Sequence, residues 1–205
     1  MKICLESAGK RYLKHWVFRN MNYVFEHPDH YALLGNNGSG KSTLLRIIAG
    51  MQSPSTGKIK YAENGTDIPL NKVFTQLSFS APGMDLPEEL TLTEFLKFHF
   101  TFKKPLPGLT IQSIIELTGL TRAANKPLGD YSSGMRQRAK LAQAIFSDTP
   151  ILLLDEPATN LDEAGVQQYR QWMEQYAANR LVIIASNDER EYSFCKERIV
   201  VADYL

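Results

Sequence analysis

Residues 35–43 read GNNGSGKST and fit the pattern G-x-x-x-x-G-K-[ST]. Three glycines within six residues let the backbone turn sharply and aim several N–H groups at one point. An apolar segment, residues 31–34, precedes this loop, and residues 42–49 form a helix-like segment that ends before Gly50. A chance match in a chain of this size is on the order of one in a hundred. The sequence therefore predicts a buried strand, a phosphate-binding loop and a helix, in that order.

The residue types in this phosphate loop suit the binding of a nucleoside triphosphate with Mg²⁺. Lys41 can reach the β- and γ-phosphates, and the Ser42 hydroxyl is a ligand for Mg²⁺. The positive end of the following helix adds to the attraction. We therefore predict ATP and Mg²⁺ as cofactors, with Lys41 also in a catalytic role. The predicted nucleotide contacts in the loop are Gly35, Asn36, Asn37, Gly38, Ser39, Gly40, Lys41, Ser42 and Thr43.

A second chemical signal is the segment ILLLDE at residues 151–156. An apolar strand that ends in two acids places carboxylates at the carboxyl edge of a parallel sheet, where such folds bind ligands. Asp155 is predicted to hold the Mg²⁺ shell and Glu156 to activate the attacking water. An Asp-Glu pair alone is often only a solvated strand end, but the phosphate loop upstream favours the catalytic interpretation.

The order of elements predicts an α/β fold with a P-loop NTPase core. Short strands and tight turns fill the chain before residue 31, which indicates a small antiparallel sheet. Strands and helices alternate after residue 133, which indicates a parallel sheet. Prolines separate two predicted helices at 92–102 and 111–117. We assign residues 1–81 and 135–205 to a nucleotide-binding core with an antiparallel β subdomain, and residues 82–134 to a helical subdomain of one single domain.

Composition and charge indicate which partners and which cell compartment to expect. A formal net charge of +1 gives no reason to expect a nucleic-acid partner. No apolar run approaches the roughly 20 residues that a membrane span needs, and the first residues do not resemble a secretion signal. Cys4 and Cys195 are isolated thiols without metal-type spacing. We expect a cytoplasmic protein.

Residues 131–135, YSSGM, open a predicted helix, and residues 159–162 read TNLD. The phosphate loop, residues 131–135, the Asp-Glu strand and residues 159–162 follow one another along the chain. In this order of motifs the chain resembles the ATP-binding subunits of ABC transporters over essentially its whole length. The resemblance implies that two such subunits close head to tail. Ser132 and Gly134 of the signature segment, residues 131–135, would then contact the γ-phosphate that the other subunit binds. It also implies that Tyr12 stacks on adenine, although Tyr12 alone reads as an ordinary sheet residue.

Three positions depart from the family pattern. The signature LSGGQ is replaced by YSSGM, which keeps the serine and the second glycine. The loop glutamine of the family would fall at Ser80 or Ala81, and the only nearby glutamine, Gln76, is either a shifted equivalent or a plain strand residue. Asn187 stands where the family has a γ-phosphate histidine, and it is either a phosphate contact or a turn-former. We expect slow turnover with intact ATP binding.

The resemblance also implies a transmembrane permease partner and a peripheral location on the inner face of the cell membrane. Phe95, Phe98, Phe100 and Phe102 are expected to be mainly core, with the alternative that two or three line a groove for a permease helix. Because 18 residues follow Asn187, the compact form resembles exporter or haem-exporter subunits. The alternatives are a soluble ABC-type ATPase and a slow nucleotide switch. The sequence of this chain does not identify the transported substrate.

Overall fold

Two β-sheets of different kinds form the framework, and the computed structural model describes all 205 residues. The antiparallel sheet has the order β2-β1-β4-β5, and the parallel sheet has the order β6-β7-β8-β3-β9. The strands are β1 (Lys2–Tyr12), β2 (His15–Glu26), β3 (His30–Leu34), β4 (Thr56–Glu63), β5 (Thr66–Ile68), β6 (Leu77–Ser80), β7 (Ile151–Asp155), β8 (Leu181–Ala185) and β9 (Glu197–Val200).

Seven α-helices connect and cover these sheets. They are α1 (Lys41–Ile48), α2 (Leu70–Val73), α3 (Leu92–Phe102), α4 (Ile111–Thr118), α5 (Ser133–Ile145), α6 (Glu163–Tyr176) and α7 (Glu189–Tyr192). Three short 3₁₀ segments lie at Thr121–Ala123, Leu128–Asp130 and Val201–Tyr204. None of the helices combines the length and apolar character that crossing a membrane requires.

The parallel sheet is buried on both faces, and each face belongs to a different hydrophobic core. In β7, Leu152 and Leu154 pack into the core that also contains residues of α3 to α6. Ile151 and Leu153 point the other way, into the core shared with α1 and the antiparallel sheet. This alternation is what a strand with a two-residue repeat requires when both of its faces are covered. The mixed α/β fold predicted from the sequence is confirmed.

Residues 82–134 contain α3, α4 and two 3₁₀ segments, but no strand. Thr91 and Thr110 begin these two helices with capping boxes, in which each threonine hydroxyl accepts a hydrogen bond from a backbone N–H of the first turn. The exact limits of the helical subdomain at residues 82 and 134 stay a prediction. The interpretation of the phenylalanine run as core is wrong for Phe98 and Phe102, which are 58% and 73% exposed.

The sequence pattern predicts strands at residues 16–19, 21–26 and 73–79, and the structure differs at these places. Residues 73–79 do not form one strand, because Val73 ends α2 and the Gln76 N–H donates to the Val73 carbonyl in a turn before β6. Residues 16–19 and 21–26 form a single strand, β2, since Asn20 takes a φ of 52° and kinks the chain without ending its pairing with β1.

The parallel arrangement brings the carboxyl ends of five strands to one edge. β3 leads into the phosphate loop, β7 ends at Asp155, and β8 is followed by Ser186 and Asn187. All the predicted catalytic side chains therefore follow strands that end at this edge, as expected for an open parallel sheet.

Candidate nucleotide and magnesium site

The phosphate loop has a backbone that only glycine tolerates at two positions. Gly35 has a φ of 143°, and a Cβ there would lie 2.4 Å from the Ser39 hydroxyl. Gly40 has a φ of 98°, and its Cβ would lie 2.2 Å from a Val17 methyl carbon. Gly40 is the N-cap of α1, so the loop ends where the backbone N–H groups of the helix are free. This geometry suits the anion site that the sequence predicts.

Lys41 is buried, with 5% of its surface exposed, although it carries a charge. Its Nζ donates to the carbonyl of Gly35 at 2.7 Å and to that of Asn36 at 3.2 Å. These bonds tie the first residue of α1 to the start of the loop and hold the cation beside the loop backbone. The Ser39 hydroxyl within the same loop is buried and has no hydrogen-bond partner.

Ser42 and Asp155 meet although 113 residues separate them in the chain. The Ser42 hydroxyl donates to Asp155 Oδ1 at 2.9 Å. Burial raises the pKa of Asp155, and the charge of Glu156 adds to this rise, whereas the Ser42 hydroxyl and Lys41 oppose it. One hydroxyl and one carboxylate at a phosphate loop fit a hydrated Mg²⁺, which takes few protein ligands and shares phosphate oxygens.

Glu156 follows directly and adopts a left-handed backbone with a φ of 44°. Such a conformation costs on the order of 1–3 kcal/mol for a residue other than glycine. It is held on one side by the Glu156 N–H, which donates to the Ala185 carbonyl at 2.8 Å. On the other side, the Thr159 hydroxyl donates to Glu156 Oε2 at 3.4 Å. These two hydrogen bonds hold Glu156 in this conformation at the end of β7.

Two clefts adjoin at this edge of the sheet. The phosphate cleft has a volume of about 350 Å³ and is lined by Tyr12, Val17, Asn37, Gly38, Gly40, Lys41, Ser42, Thr43 and Glu156. The second cleft, of about 400 Å³, shares Asn37 and Glu156 with it and continues along residues 158–161 and 186–191. Glu156 thus faces the phosphate cleft from one side and the turn after β8 from the other.

Asn187 reaches the phosphate loop in this structure. Its Nδ2 donates to Asn37 Oδ1 at 2.9 Å, across 150 residues of sequence. A turn-former alone would not need that contact. The position that departs from the family pattern therefore lies in contact with the phosphate loop.

Tyr12 is the last residue of β1 and lines the phosphate cleft. The residue is 49% exposed, and its hydroxyl accepts a hydrogen bond from Gln52 Nε2 at 2.6 Å. Lys10 Nζ lies 5.4 Å from the ring centroid. The ring is therefore fixed at the rim of the cleft with a large part of its surface open to a base.

The signature residues do not lie in either cleft. Ser132 is exposed and caps α5, since its hydroxyl accepts from the Met135 N–H at 3.3 Å. A Cβ on Gly134 would lie 3.0 Å from the Asn160 carbonyl, so the signature segment packs against residues 159–162 of its own chain. Of the predicted nucleotide contacts, Ser132 and Gly134 are the two that one chain does not bring to its own phosphate loop.

Gln76 does not fill the position of the loop glutamine. The Ile151 N–H donates to the Gln76 carbonyl at 3.1 Å, so Gln76 lies beside the first residue of β7. Asp155 is the last residue of the same strand, so Gln76 lies at the end of β7 away from the phosphate loop. Gln76 lines a separate cleft of about 500 Å³ at the opposite edge of the sheet. Ser80, by contrast, ends β6 beside Leu154, and its hydroxyl is buried without a hydrogen-bond partner.

Glu191 is a residue of the second cleft that the sequence reasoning missed. It is 3% exposed and contacts the backbone of Ala158. Its surroundings in the sequence, DEREY, read as a solvated acidic helix, and only the tertiary structure reveals that this glutamate is buried.

Residues 18–159 match the family model described as "ABC transporter". The chain belongs to this family. It is 34% identical over 170 residues to the cytochrome c biogenesis ATP-binding export protein CcmA of Rhodopseudomonas palustris (strain BisB5), covering 83% of each chain. It is also 34% identical over 193 residues to the uncharacterized ABC transporter ATP-binding protein YxlF of Bacillus subtilis (strain 168). That match covers 90% of this chain and 62% of YxlF.

Solved ABC cassettes share the fold. A dimeric ATP-binding cassette in a post-hydrolysis state, bound to ADP and Pi, superposes with a TM-score of 0.83 at 21% identity. The match covers 98% of this chain and 95% of that cassette. The resemblance predicted from the phosphate loop, the signature segment and the Asp-Glu strand is confirmed, and with it the assignment to the ATP-binding proteins of this family.

Proposed function

We propose that this chain binds MgATP and hydrolyses it, with Glu156 as the base that activates the attacking water. The observation that carries the proposal is the convergence of the Ser42–Asp155 pair, Lys41 and Glu156 on one phosphate cleft. The ABC transporter family supports ATP hydrolysis in general, and the individual residue roles are our inference.

Each residue has a distinct part in this proposal. The backbone N–H groups of residues 35–43 and the Lys41 ammonium bind the phosphates. Ser42 and Asp155 hold Mg²⁺, which when bound neutralises the charge of the β- and γ-phosphates. The Glu156 carboxylate accepts the proton of the water and orients it. Asn187 donates a neutral hydrogen bond to the γ-phosphate, and because it cannot carry a proton we expect slow turnover.

Glu156→Gln tests the central claim. This variant keeps the size of the side chain and removes the base, so we expect MgATP to bind with nearly unchanged affinity while phosphate release falls by at least about 100-fold. Asp155→Asn serves as the contrasting variant, because it should weaken binding of MgATP itself. Equal turnover of the wild type and Glu156→Gln would refute Glu156 as the base. A wild type that binds ATP and never hydrolyses it would favour the nucleotide switch instead.

We further propose that two copies close head to tail around two ATP molecules. Ser132 is exposed at the N-terminus of α5, an anion-binding position without a phosphate loop of its own. A partner copy would supply the phosphates. Glu156→Gln with MgATP should therefore sediment as a dimer, and Ser132→Ala in the same background should weaken that dimer. A monomer under all these conditions would contradict the arrangement.

A permease is the membrane partner that we propose. An apolar groove lies beside the parallel sheet, lined mainly by hydrophobic side chains, among them Leu70, Phe74 and Met84. Met51, Leu70 and Phe74 line this groove and are each more than half exposed, and an exposed apolar patch of this kind marks an interaction surface. Relatives of this chain are named transporter ATP-binding proteins, so we commit to a helix of a membrane subunit as the occupant and to the inner membrane face as the location.

Co-purification tests this partner. Phe74→Ser should abolish recovery of the chain with the membrane fraction while leaving its MgATP affinity intact. Phe98→Ser on the exposed side of α3 distinguishes a broad contact surface from one confined to the groove. Unchanged membrane recovery of both variants would place the contact on another surface, and a wild type that is not recovered with membranes at all would favour the soluble ABC-type alternative.

A further inference from the structure

Glu191 is a buried carboxylate at the second cleft that the proposed hydrolysis does not use. Its Oε1 accepts a hydrogen bond from the Ala158 N–H at 2.5 Å, and its Oε2 is buried without a hydrogen-bond partner. Burial raises the pKa of Glu191 to about 7. The charges of Asp188 and Glu156 add to this rise, whereas the Ser186 hydroxyl and the Ala158 N–H oppose it. A buried acid of this kind costs stability, so a role in the site would account for it.

Glu191 is connected to three segments of the chain at once. Through its side chain it contacts Ala158, in the loop between β7 and α6. Its own N–H donates to the Asp188 carbonyl at 3.0 Å, in the turn that follows β8. Its carbonyl accepts from the Tyr169 hydroxyl of α6 at 2.9 Å. Together with the hydrogen bond from the Glu156 N–H to the Ala185 carbonyl, this residue joins the first two segments.

These segments carry the two side chains on which hydrolysis depends. Glu156 lies two residues before Ala158 and has a strained backbone, so a small shift of the loop would redirect its carboxylate. Asn187 lies in the turn beside Asp188 and contacts Asn37 of the phosphate loop. We propose that Glu191 is a positioning residue that holds Glu156 and Asn187 at a fixed separation across the second cleft. This inference rests on the proposed hydrolysis.

The charge of Glu191 controls how firmly it holds the loop. Glu156 faces it from the loop after β7, Asp188 from its own turn, and the Tyr169 hydroxyl from α6. Arg190 is directed elsewhere, to Asp188 at 2.6 Å and Glu163 at 3.4 Å. An ionised carboxylate accepts the Ala158 hydrogen bond more strongly than a neutral acid does. The hold on the loop therefore tightens as pH rises through the pKa of Glu191.

Turnover and ATP affinity of Glu191→Gln, measured between pH 6 and 8, test the proposal. Glutamine keeps the size and the acceptor but stays neutral. At pH 8 we expect kcat to fall by about ten-fold with the Kd for MgATP unchanged, because misplaced catalytic groups lower the rate without loosening the ground-state complex. At pH 6 the wild type and the variant should converge. Glu189→Gln is the matched control, since Glu189 lies on the same helix as Glu191 but is exposed and forms an ion pair with Arg198 of β9.

Several outcomes would overturn the proposal. They are a ratio of wild-type to variant kcat that does not change with pH, a loss of ATP affinity equal to the loss of kcat, and the same effect in Glu189→Gln. A Glu191→Gln protein that fails to fold would assign the residue to stability alone and overturn it as well. Glu156→Gln is assayed in parallel, because its turnover decides the proposed hydrolysis independently of the result at Glu191.

Discussion

Tyr12 offers the most direct test of how the nucleotide base binds. Its ring lies at the rim of the phosphate cleft, with the hydroxyl fixed by Gln52 and with Lys10 beside the ring. Adenine stacking requires only the ring. Tyr12→Ala should therefore weaken MgATP binding, whereas Tyr12→Phe, which loses only the Gln52 hydrogen bond, should not.

The expected size of the effect follows from the exposure of the ring. Tyr12 is 49% exposed, and an aromatic side chain presents about 200 Å², so about 100 Å² is open. One base covers one face, or about 50 Å², which at about 25 cal/mol per Å² gives about 1.2 kcal/mol. This energy corresponds to a change of about eight-fold in Kd and agrees with the lower end of measured base–aromatic stacking.

Titration with a fluorescent ATP analogue, displaced by unlabelled MgATP, measures this change. Because stacking does not read hydrogen bonds, GTP should lose the same factor as ATP in Tyr12→Ala. Two results would refute the reasoning: wild-type affinity in Tyr12→Ala, or an equal loss in Tyr12→Phe. The second would assign the effect to the position of Gln52 and not to stacking.

Three further predictions concern stability and reactivity. Gly57→Ala should lower the free energy of unfolding in urea by at least about 2 kcal/mol, since Gly57 has a φ of 69° and its Cβ would lie 2.2 Å from a β1 carbonyl. Gly83→Ala, with nothing within 4 Å, should change it by less than about 0.5 kcal/mol. Burial raises the pKa of Cys195 to about 12, so at pH 8 a thiol reagent should label the half-buried Cys4 first and Cys195 only after denaturation. Burial lowers the pKa of His99 to about 4, so the folded protein disfavours the protonated imidazole. The contribution of His99 to the free energy of unfolding is therefore complete above about pH 6.5, and about 3 kcal/mol of it is lost as pH falls toward 4. His99→Gln should remove this difference in chemical denaturation, and an unchanged pH slope would contradict it.

The sequence predicted those parts of the site that depend on one continuous segment. The phosphate loop needs glycines at fixed spacing, and the buried strand before it and the helix after it follow from local patterns. The acids after β7 were predictable for the same reason. Strand limits were less secure where local geometry decides them, as at the turn before β6 and at the kink of Asn20, which periodicity does not encode.

Contacts between distant segments were not predictable, and they decide how the site works. The residue type at position 187 indicates a weaker phosphate contact than histidine, but only the fold places its amide 2.9 Å from Asn37. That bond means that Asn187 and the phosphate loop satisfy each other when no phosphate intervenes, so a bound γ-phosphate has to compete with Asn37 for the amide. Asn37→Ala would remove the competitor. If the competition limits the rate, this variant should turn over ATP faster than the wild type, and Asn187→Ala should turn it over more slowly. If both variants turned over ATP at the wild-type rate, the side chain at position 187 would contribute nothing to the chemistry.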